Sequence, residues 1–369
     1  MMDSRNVTLA KNLINYSVRL EKGEKCLIEA IGFESQDLVK AIVQQVYAAG
    51  GLPYVNITNP SIQRELLLNA SAPQTELKAD TDEQFMAQMD AYVAIRGGNN
   101  IFELSDVPQD NLNMYSKIMR KVQETRLSKK WVVLRYPTPS MAQNARKSLE
   151  EFTTFYYNVC NLDYGKMDKA QDFLKAIMER TDRVHIKGPG TDLHFSIKGI
   201  PIIKCSGEFN IPDGEIFTAP VKDSVEGYVT YNIPSIQQGF AFENVYLEFE
   251  KGKIVKSTAN DTERITKIFD RDEGARYVGE FALGINPYVT QPMFDTLFDE
   301  KIAGSFHFTP GNAYDHAFNG NKSALHWDLI CIQTPEYGGG EIYFDGVLVR
   351  KDGRFVIPEL AACNPENLV

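Results

Sequence analysis

Two of the chain's five histidines lie among carboxylates in a way that suggests a bound metal. Residues 300–328 contain three of the five, and His326 is followed two residues later by Asp328, with His307 upstream. Neutral imidazole and carboxylate are ligands that proteins use for Zn²⁺, Mn²⁺ and Co²⁺. A chain with few histidines that concentrates them in one segment therefore suggests metal-assisted hydrolysis as the first hypothesis.

His326 and Asp328 occur in an alternating pattern. The apolar residues Leu325, Trp327 and Leu329 alternate with them, which predicts a strand on which the two polar side chains share one face. Two ligands of one metal would then stand on one rigid support. Taken alone, a His-x-Asp pair is more often an ion pair at the surface, so the hypothesis needs further ligands.

The segment around His307 contains a possible active-site tyrosine. Residues 303–310 also read as a strand, and Tyr314 follows in a Gly-Asn-Ala-Tyr turn. Glycine and asparagine tolerate the positive φ angles of a tight loop, which could turn the phenol back toward the histidine. The third histidine of the segment, His316, lies in a turn-rich loop, and we expect it at the surface or beside the ligands.

Three glutamates extend the set of possible ligands. Glu215 lies between a Pro-Asp-Gly turn and an apolar segment, Glu280 is surrounded by apolar residues and glycine, and Glu300 precedes the His307 segment. A buried carboxylate needs a partner, and a cation is the natural one. Because these residues, two histidines and an aspartate exceed the four ligands of one tetrahedral site, two metals fit better than one.

Length and composition exclude several classes of protein. A chain of 369 residues with 43% apolar and 24% charged residues is typical of a globular protein with two domains. It contains no apolar run of about 20 residues and no secretory signal, so we expect no membrane contact and a cytoplasmic location. The five scattered cysteines predict buried thiols in a reducing compartment. A net charge of −10 argues against nucleic acid as a partner.

The fold class predicted for the first part of the chain is α/β with a mainly parallel sheet. Strand-like segments alternate with helix-like segments there, which implies βαβ units. The strand-like segments are 25–30, 52–57, 91–95 and 131–135. No Gly-x-Gly-x-x-Gly follows the first of them, so a dinucleotide site is not expected.

A second domain is predicted beyond residue 180. Short alternating runs separated by glycine and proline predict an α+β domain with a mainly antiparallel sheet that carries the metal site. The predicted domains are therefore 1–180 and 181–369. The glycines of Lys187–Asp192 predict a hairpin turn rather than a phosphate loop, because the Gly-Lys-Ser/Thr ending is absent.

Several motifs together resemble the aminopeptidase T and aminopeptidase S group, the thermophilic-type metalloaminopeptidases. The motifs are 210–220, 279–287, 299–307 with the following Gly-Asn-Ala-Tyr, and 325–328. The resemblance implies a cytoplasmic homodimer with an enclosed cavity that removes N-terminal residues from peptides. It also implies which residues form the site. The metal ligands would be Glu215, Glu280, His307, His326 and Asp328, with Glu300 as a further carboxylate near the metals and Tyr314 as the active-site tyrosine.

The predicted function is a metal-dependent aminopeptidase. Two divalent ions per subunit, chosen from Zn²⁺, Co²⁺, Mn²⁺ and Mg²⁺, would activate a water molecule. Glu215 would accept the proton of that water, and the Tyr314 hydroxyl would bind the tetrahedral oxyanion. Two alternatives remain open at this point: a metal-dependent hydrolase of another amide or ester bond, and a non-catalytic peptide-binding protein on the same scaffold.

Overall fold

The computed structural model describes residues 3–100, 102–237 and 239–369. The chain divides into two compact units. The first contains the chain up to Asn161 together with Gly207–Ile211, and the second contains Leu162–Ser206 and Pro212–Val369. The helix Tyr164–Met178 thus belongs to the second unit, although it precedes the boundary at 180 that the sequence predicts. The domains 1–180 and 181–369 stay a prediction.

The described residues form the following helices and strands. The α-helices are α1 Ser4–Lys11, α2 Gln36–Ala48, α3 Pro60–Leu68, α4 Ala72–Ala87, α5 Gln109–Leu127, α6 Pro139–Asn144, α7 Leu149–Cys160, α8 Tyr164–Met178, α9 Thr262–Phe269 and α10 Thr296–Asp299. The strands are β1 Lys25–Ile31, β2 Leu52–Thr58, β3 Ala91–Arg96, β4 Lys130–Arg135, β5 Arg183–Gly188, β6 Thr191–Ser196, β7 Ile203–Cys205, β8 Asn210–Ile211, β9 Glu215–Thr218, β10 Glu226–Thr230, β11 Ser235–Gln237, β12 Phe240–Phe242, β13 Tyr246–Glu250, β14 Lys253–Thr258, β15 Val278–Gly284, β16 Ser305–Pro310, β17 Ile330–Ile332, β18 Glu341–Phe344, β19 Val347–Lys351 and β20 Arg354–Phe355.

The first unit is built around a parallel sheet with the strand order β2-β1-β3-β4-β8. Residues 91–95 of β3 and 26–28 of β1 are buried. Such continuous buried runs are typical of parallel strands that have helices on both faces. In α2 the residues Leu38, Ile42 and Val46 recur at helical spacing and are buried, so this helix packs through one apolar face.

The second unit contains two larger antiparallel sheets. One has eight strands in the order β14-β13-β10-β6-β5-β18-β19-β20, and the other has five in the order β17-β16-β15-β9-β7. The ring of Phe195 in β6 lies 4.9 Å from Phe281 in β15 and 5.0 Å from Phe308 in β16. One face of the five-stranded sheet is thus covered by apolar packing. The predicted fold class, with a parallel α/β region followed by a mainly antiparallel region, is confirmed.

The turn at Lys187–Asp192 is the predicted hairpin. β5 and β6 pair in antiparallel register across Pro189 and Gly190. Gly190 has a φ of +65°, a conformation that glycine adopts without the steric cost of a side chain. The hairpin therefore fixes which residues of β5 stand opposite which residues of β6.

The segment around His326 and Asp328 pairs with β16, as its alternating pattern predicts, although the regular strand β17 begins only at Ile330. His326 bridges Gly311 in the same register that pairs His307 with Ile330. The Trp327 amide donates to the Pro310 carbonyl, and the Phe308 and Asn312 amides donate to the Leu329 and Leu325 carbonyls. In the part of the chain that the structure describes, no helix combines the length and apolar character that crossing a membrane requires.

Candidate metal centre

Three predicted ligands share one face of the five-stranded sheet. In the antiparallel pairing of β9 with β15, Glu215 stands opposite Gly284. In the pairing of β15 with β16, His307 stands opposite Ala282. Directly opposed residues of antiparallel strands point to the same side, and positions two apart along a strand also share a side. The side chains of Glu215, His307 and Glu280 therefore lie on the face opposite the phenylalanine packing.

These three side chains are buried. Glu215 is 6% exposed, Glu280 is 3% exposed and His307 is 1% exposed. Burial removes the water that would stabilise a carboxylate, so charged groups at such positions need cations or hydrogen-bond donors. The site thus holds more buried negative charge than an ordinary apolar core could accept.

Glu280 lies at the centre of the cluster. Its Oε1 atom is 3.2 Å from His307 Nε2, and its Oε2 atom is 3.4 Å from His326 Nε2. On one side, His307 Nε2 is also 3.4 Å from Glu215 Oε2. On the other side, His326 Nε2 is 3.4 Å from Asp328 Oδ1. The ligand atoms form two groups of three, each within 4.8 Å, and the Glu280 carboxylate belongs to both.

Hydrogen bonds outside these groups orient His326 and Asp328. The Nδ1 atom of His326 lies 2.8 Å from the Asn312 carbonyl oxygen. Because a carbonyl only accepts, Nδ1 carries the proton, and the other ring nitrogen faces the carboxylates. The Thr309 hydroxyl donates to Asp328 Oδ1 at 2.8 Å. Contacts of this kind fix the tautomer and orientation of metal-binding side chains.

Lys301 is a central residue that sequence reasoning missed. Its side chain is 0% exposed, and its Nζ atom lies 2.7 Å from Glu215 Oε1 and 3.9 Å from Asp213 Oδ1. It also donates to the carboxylate of Glu300. Burial lowers the pKa of Lys301, but the charges of Glu215 and Glu300 outweigh burial and hold it well above its usual range. No pattern in the sequence distinguishes this lysine from an exposed one.

The electrostatics of the cluster favour a cation. Burial lowers the pKa of His307, and the Glu215 and Glu280 carboxylates raise it to about 9. At His326 the same competition, with Asp328 as the strongest carboxylate, gives a pKa of about 11. Both imidazoles therefore retain protons over the neutral range in the absence of another cation. A divalent ion would supply this positive charge and leave the imidazoles neutral as ligands.

Two buried atoms support this interpretation. Among the described residues, Glu215 Oε2 and His326 Nε2 are buried side-chain atoms without a hydrogen-bond partner. A buried polar atom left unpaired costs about 1–3 kcal/mol. Both atoms belong to the groups that share Glu280, so ions there would pair them. A donor set of carboxylates and imidazoles fits borderline divalent ions such as Zn²⁺, Co²⁺ and Mn²⁺.

The other predicted site residues lie beside this cluster. The ring of Tyr314 is 4.6 Å from that of His326 and stacks on His316 with an angle of 3° between the rings. Tyr314 is 42% exposed, so it stands where the cluster opens to solvent. The partly buried Glu300 carboxylate accepts from Lys301 and is not part of either group of three. Its role as a metal ligand stays a prediction.

Comparisons with known proteins agree on one family. The sequence model of the thermophilic metalloprotease family, M29, matches residues 2–355. Aminopeptidase T of Thermus aquaticus is 24% identical over 409 aligned positions, which cover 95% of this chain and 98% of the relative. Aminopeptidase AmpS of Bacillus subtilis is 26% identical over 88% of each chain. Aminopeptidase T of Thermus thermophilus is 35% identical over 209 residues, 48% of this chain and half of the relative's length.

Solved structures share the fold. The structure of wild-type AmpT from Thermus thermophilus superposes with a TM-score of 0.77 at 24% identity, covering 96% of this chain and 100% of that one. A 2,5-dihydroxypyridine dioxygenase from Pseudomonas putida KT2440 has a TM-score of 0.63 at 14% identity and covers 97% of this chain. At these identities the likeness is one of fold alone. The match to the family model is what identifies the chain: it belongs to the M29 family of thermophilic metalloproteases.

Proposed function

We propose that the cluster around Glu280 is the active site of a metal-dependent aminopeptidase that removes N-terminal residues from peptides. The observation that carries this proposal is the sharing of the Glu280 carboxylate between two groups of potential ligands. Carboxylates that stand between two ions are typical of aminopeptidase and phosphatase sites with a metal pair. The relatives are named aminopeptidases, which favours a peptide substrate over the other amide or ester bonds considered above.

Two divalent ions fit the residues present. Glu215, Glu280 and His307 would hold one, and Glu280, His326 and Asp328 would hold the other. When bound, such a pair lowers the pKa of a water molecule toward 7 and polarises the scissile carbonyl, as in other hydrolases with two metals. The two imidazoles favour Zn²⁺ or Co²⁺ over Mg²⁺, which prefers oxygen ligands.

Glu215 is our candidate for the general base. Lys301 binds its Oε1 atom, so its Oε2 atom is the one that faces His307 and the proposed ion. Burial raises the pKa of the Glu215 carboxyl, which makes it a better proton acceptor than an exposed glutamate. It would take a proton from the attacking water and pass it to the leaving amine.

Tyr314 would act on the other side of the reacting carbonyl. Desolvation and the nearby Glu280 carboxylate raise the pKa of its phenol, so the hydroxyl keeps its proton. A neutral hydroxyl can donate a hydrogen bond to the oxyanion that forms during hydrolysis. The exposed position of the ring allows a peptide to enter beside it. The free α-amino group of the substrate would bind a metal or a carboxylate, which accounts for cleavage at the N-terminus only.

The assembly and location follow the family resemblance. We propose a homodimer in the cytoplasm that acts on peptides. The net charge of −10 supports peptides over nucleic acid as partners, because few faces of such a protein attract phosphate. Light scattering of the purified chain tests the dimer directly, and a monomeric mass would exclude it.

A substrate panel with metal analysis tests the proposed activity. The purified protein is loaded with Zn²⁺ or Co²⁺, its metal content is measured, and it is given a leucyl chromogenic amide, an N-acetylated peptide, a lactam and an ester. We expect release of leucine from the free amide only, and loss of activity with a chelator. Cleavage of the blocked peptide, the lactam or the ester alone would contradict the proposal.

A matched pair of variants distinguishes the role of Glu215 as a base from that of the neighbouring Glu300. Glu215→Gln removes the proposed base, whereas Glu300→Gln changes the other carboxylate that binds Lys301. We expect the first variant to lose far more turnover than the second on the leucyl amide. A metal-loaded protein that releases leucine from no substrate would favour the peptide-binding alternative.

A further inference from the structure

A second histidine and aspartate cluster lies on the eight-stranded sheet. The β5–β6 hairpin places His185 directly opposite His194 and Lys187 directly opposite Asp192. Opposed residues and residues two apart on a strand share a face of the sheet. His185, His194 and Asp192 therefore project from the same side of a rigid hairpin.

The nitrogen atoms of both histidines face one carboxylate oxygen. His185 Nε2 lies 2.6 Å from Asp192 Oδ1, and His194 Nε2 lies 3.3 Å from the same atom. The two imidazole rings stack with their centroids 3.7 Å apart and an angle of 25° between them. An ordinary ion pair needs one histidine, whereas here two nitrogens and one oxygen converge, within 4.8 Å of one another.

The donor atoms of the cluster suit a metal. Neutral imidazole nitrogens and a carboxylate oxygen are ligands that proteins use for divalent transition ions. One divalent ion held by the three side chains would neutralise the charge of the Asp192 carboxylate.

We propose that His185, Asp192 and His194 form a mononuclear binding site for a borderline divalent transition ion such as Cu²⁺, Zn²⁺ or Ni²⁺. Two imidazoles and one carboxylate suit these ions, whereas Ca²⁺ and Mg²⁺ prefer oxygen ligands alone. The three side chains are 25%, 49% and 53% exposed, so an ion from solvent reaches them and water completes its coordination. The site is separate from the cluster around Glu280 and does not rest on the proposed peptidase activity.

Lys187 opposes this ion. It stands opposite Asp192 on the same face of the hairpin, so its charge lies beside the cluster. A positive side chain beside a cation site weakens binding by repulsion. Its Nζ atom lies 5.5 Å from the centre of the Tyr343 ring, which keeps the charge on the same hairpin face. Removal of this charge should therefore strengthen metal binding, whereas removal of a ligand should weaken it.

Metal titration of the full chain tests the site. The protein is first loaded with two Zn²⁺ per chain at its tighter sites, and binding of further Zn²⁺ is then followed by calorimetry in a buffer without chelators. We expect one additional ion per chain. His185→Ala and Asp192→Asn should weaken it by at least about tenfold, by loss of a ligand. Lys187→Gln should tighten it, and the matched control His316→Ala, which changes a histidine outside the cluster, should leave it unchanged.

A measurement on the unaltered protein keeps the proposal testable if a variant fails to fold. Cu²⁺ is paramagnetic, so it broadens the imidazole resonances of residues that bind it. We expect substoichiometric Cu²⁺, added to the protein loaded with two Zn²⁺ per chain, to broaden the signals of His185 and His194 before that of His316. Broadening of His316 first, or equal binding of the additional Zn²⁺ by His185→Ala and the unaltered chain, would overturn the proposal.

Discussion

The two histidine and aspartate clusters of this chain use the same residue types in different surroundings. In the cluster around Glu280, His307 is 1% exposed. In the hairpin cluster, the side chain of His194 is 53% exposed. Water can satisfy the second cluster without a metal, whereas the first has buried carboxylates that require a cation. The difference teaches that burial, more than residue type, turns a group of ligands into a site that depends on metal.

The pKa of His326 in the buried cluster and the pKa of His194 in the hairpin cluster shift in opposite directions. At His326, Asp328 and Glu280 outweigh burial and raise the pKa to about 11. At His194, burial and the neighbouring His185 outweigh Asp192 and lower the pKa. The number of carboxylates around each imidazole decides the sign. We therefore expect the buried cluster to hold its cations strongly and the hairpin cluster to exchange its ion readily.

The largest effect should come from the carboxylate that both buried groups share. Glu280→Gln should lose both ions and reduce kcat by more than about 10³-fold, because the metal pair supplies several kcal/mol of transition-state stabilisation. Metal analysis and turnover of the leucyl amide measure this. Asp192→Asn makes the same chemical change in the hairpin cluster and should leave turnover unchanged. If Glu280→Gln still bound two ions, the buried cluster would not depend on the shared carboxylate, and the contrast with the hairpin cluster would be wrong.

Substitution of the buried Lys301 should reduce the free energy of unfolding more than substitution of the exposed Lys187. Lys301→Met leaves Glu215 and Glu300 without their cation, and the loss of one partner of a buried pair costs about 3–5 kcal/mol. Urea unfolding of the metal-free protein measures this change in the free energy of unfolding. Lys187→Met is the matched variant at the hairpin cluster and should change it little. If the two variants lost the same free energy of unfolding, burial would not be what distinguishes the two clusters.

Tyr314 should affect turnover without affecting metal content. Tyr314→Phe removes one donor to the oxyanion, and we expect kcat to fall by about 10²–10³-fold while the bound ions remain. Steady-state kinetics with metal analysis on the same sample test this. Tyr343→Phe, beside the hairpin cluster, serves as the control and should keep normal kcat. Unchanged turnover in Tyr314→Phe would remove this residue from the mechanism.

The smallest effect should come from the hydrogen bond that orients Asp328. Thr309→Val removes the hydroxyl that donates to Asp328 at 2.8 Å but keeps the volume of the side chain. Loss of such a supporting contact lowers metal affinity by about 10–100-fold. Competition with a chromophoric chelator measures the affinity. Thr191→Val, a threonine of β6 outside both clusters, is the control, and an equal loss there would contradict the prediction.

The sequence alone predicted most of the parallel and antiparallel architecture. Alternating apolar residues and glycine-rich turns are local signals, so the βαβ region and the Lys187–Asp192 hairpin could be read directly. The alternation around His326 likewise indicated a segment that pairs with a neighbour, although the regular strand there begins only at Ile330. The short strand β8, at Asn210–Ile211, pairs with β4 of the first unit, and nothing in its two residues predicts so distant a partner.

The candidate site was predictable in its residue types but not in its arrangement. Histidines, carboxylates and the family motifs indicated Glu280 and His326, yet the sharing of Glu280 depends on strand register, which the sequence does not contain. Lys301 escaped notice because burial, not identity, makes it unusual. No sequence motif joins His185 to His194, because the register of the hairpin brings them together.

The strand order of the second unit has a consequence for folding. The chain leaves the five-stranded sheet after β9, builds part of the other sheet with β10, β13 and β14, and returns with β15. Contacts between residues so far apart in the chain carry a large loop-closure entropy and form slowly. We therefore expect Glu215 to meet Glu280 late in folding. We expect the rate of folding to limit the rate of metal binding. A newly made chain should pass through a stage in which all the ligand residues exist but are not yet close enough together to bind a metal.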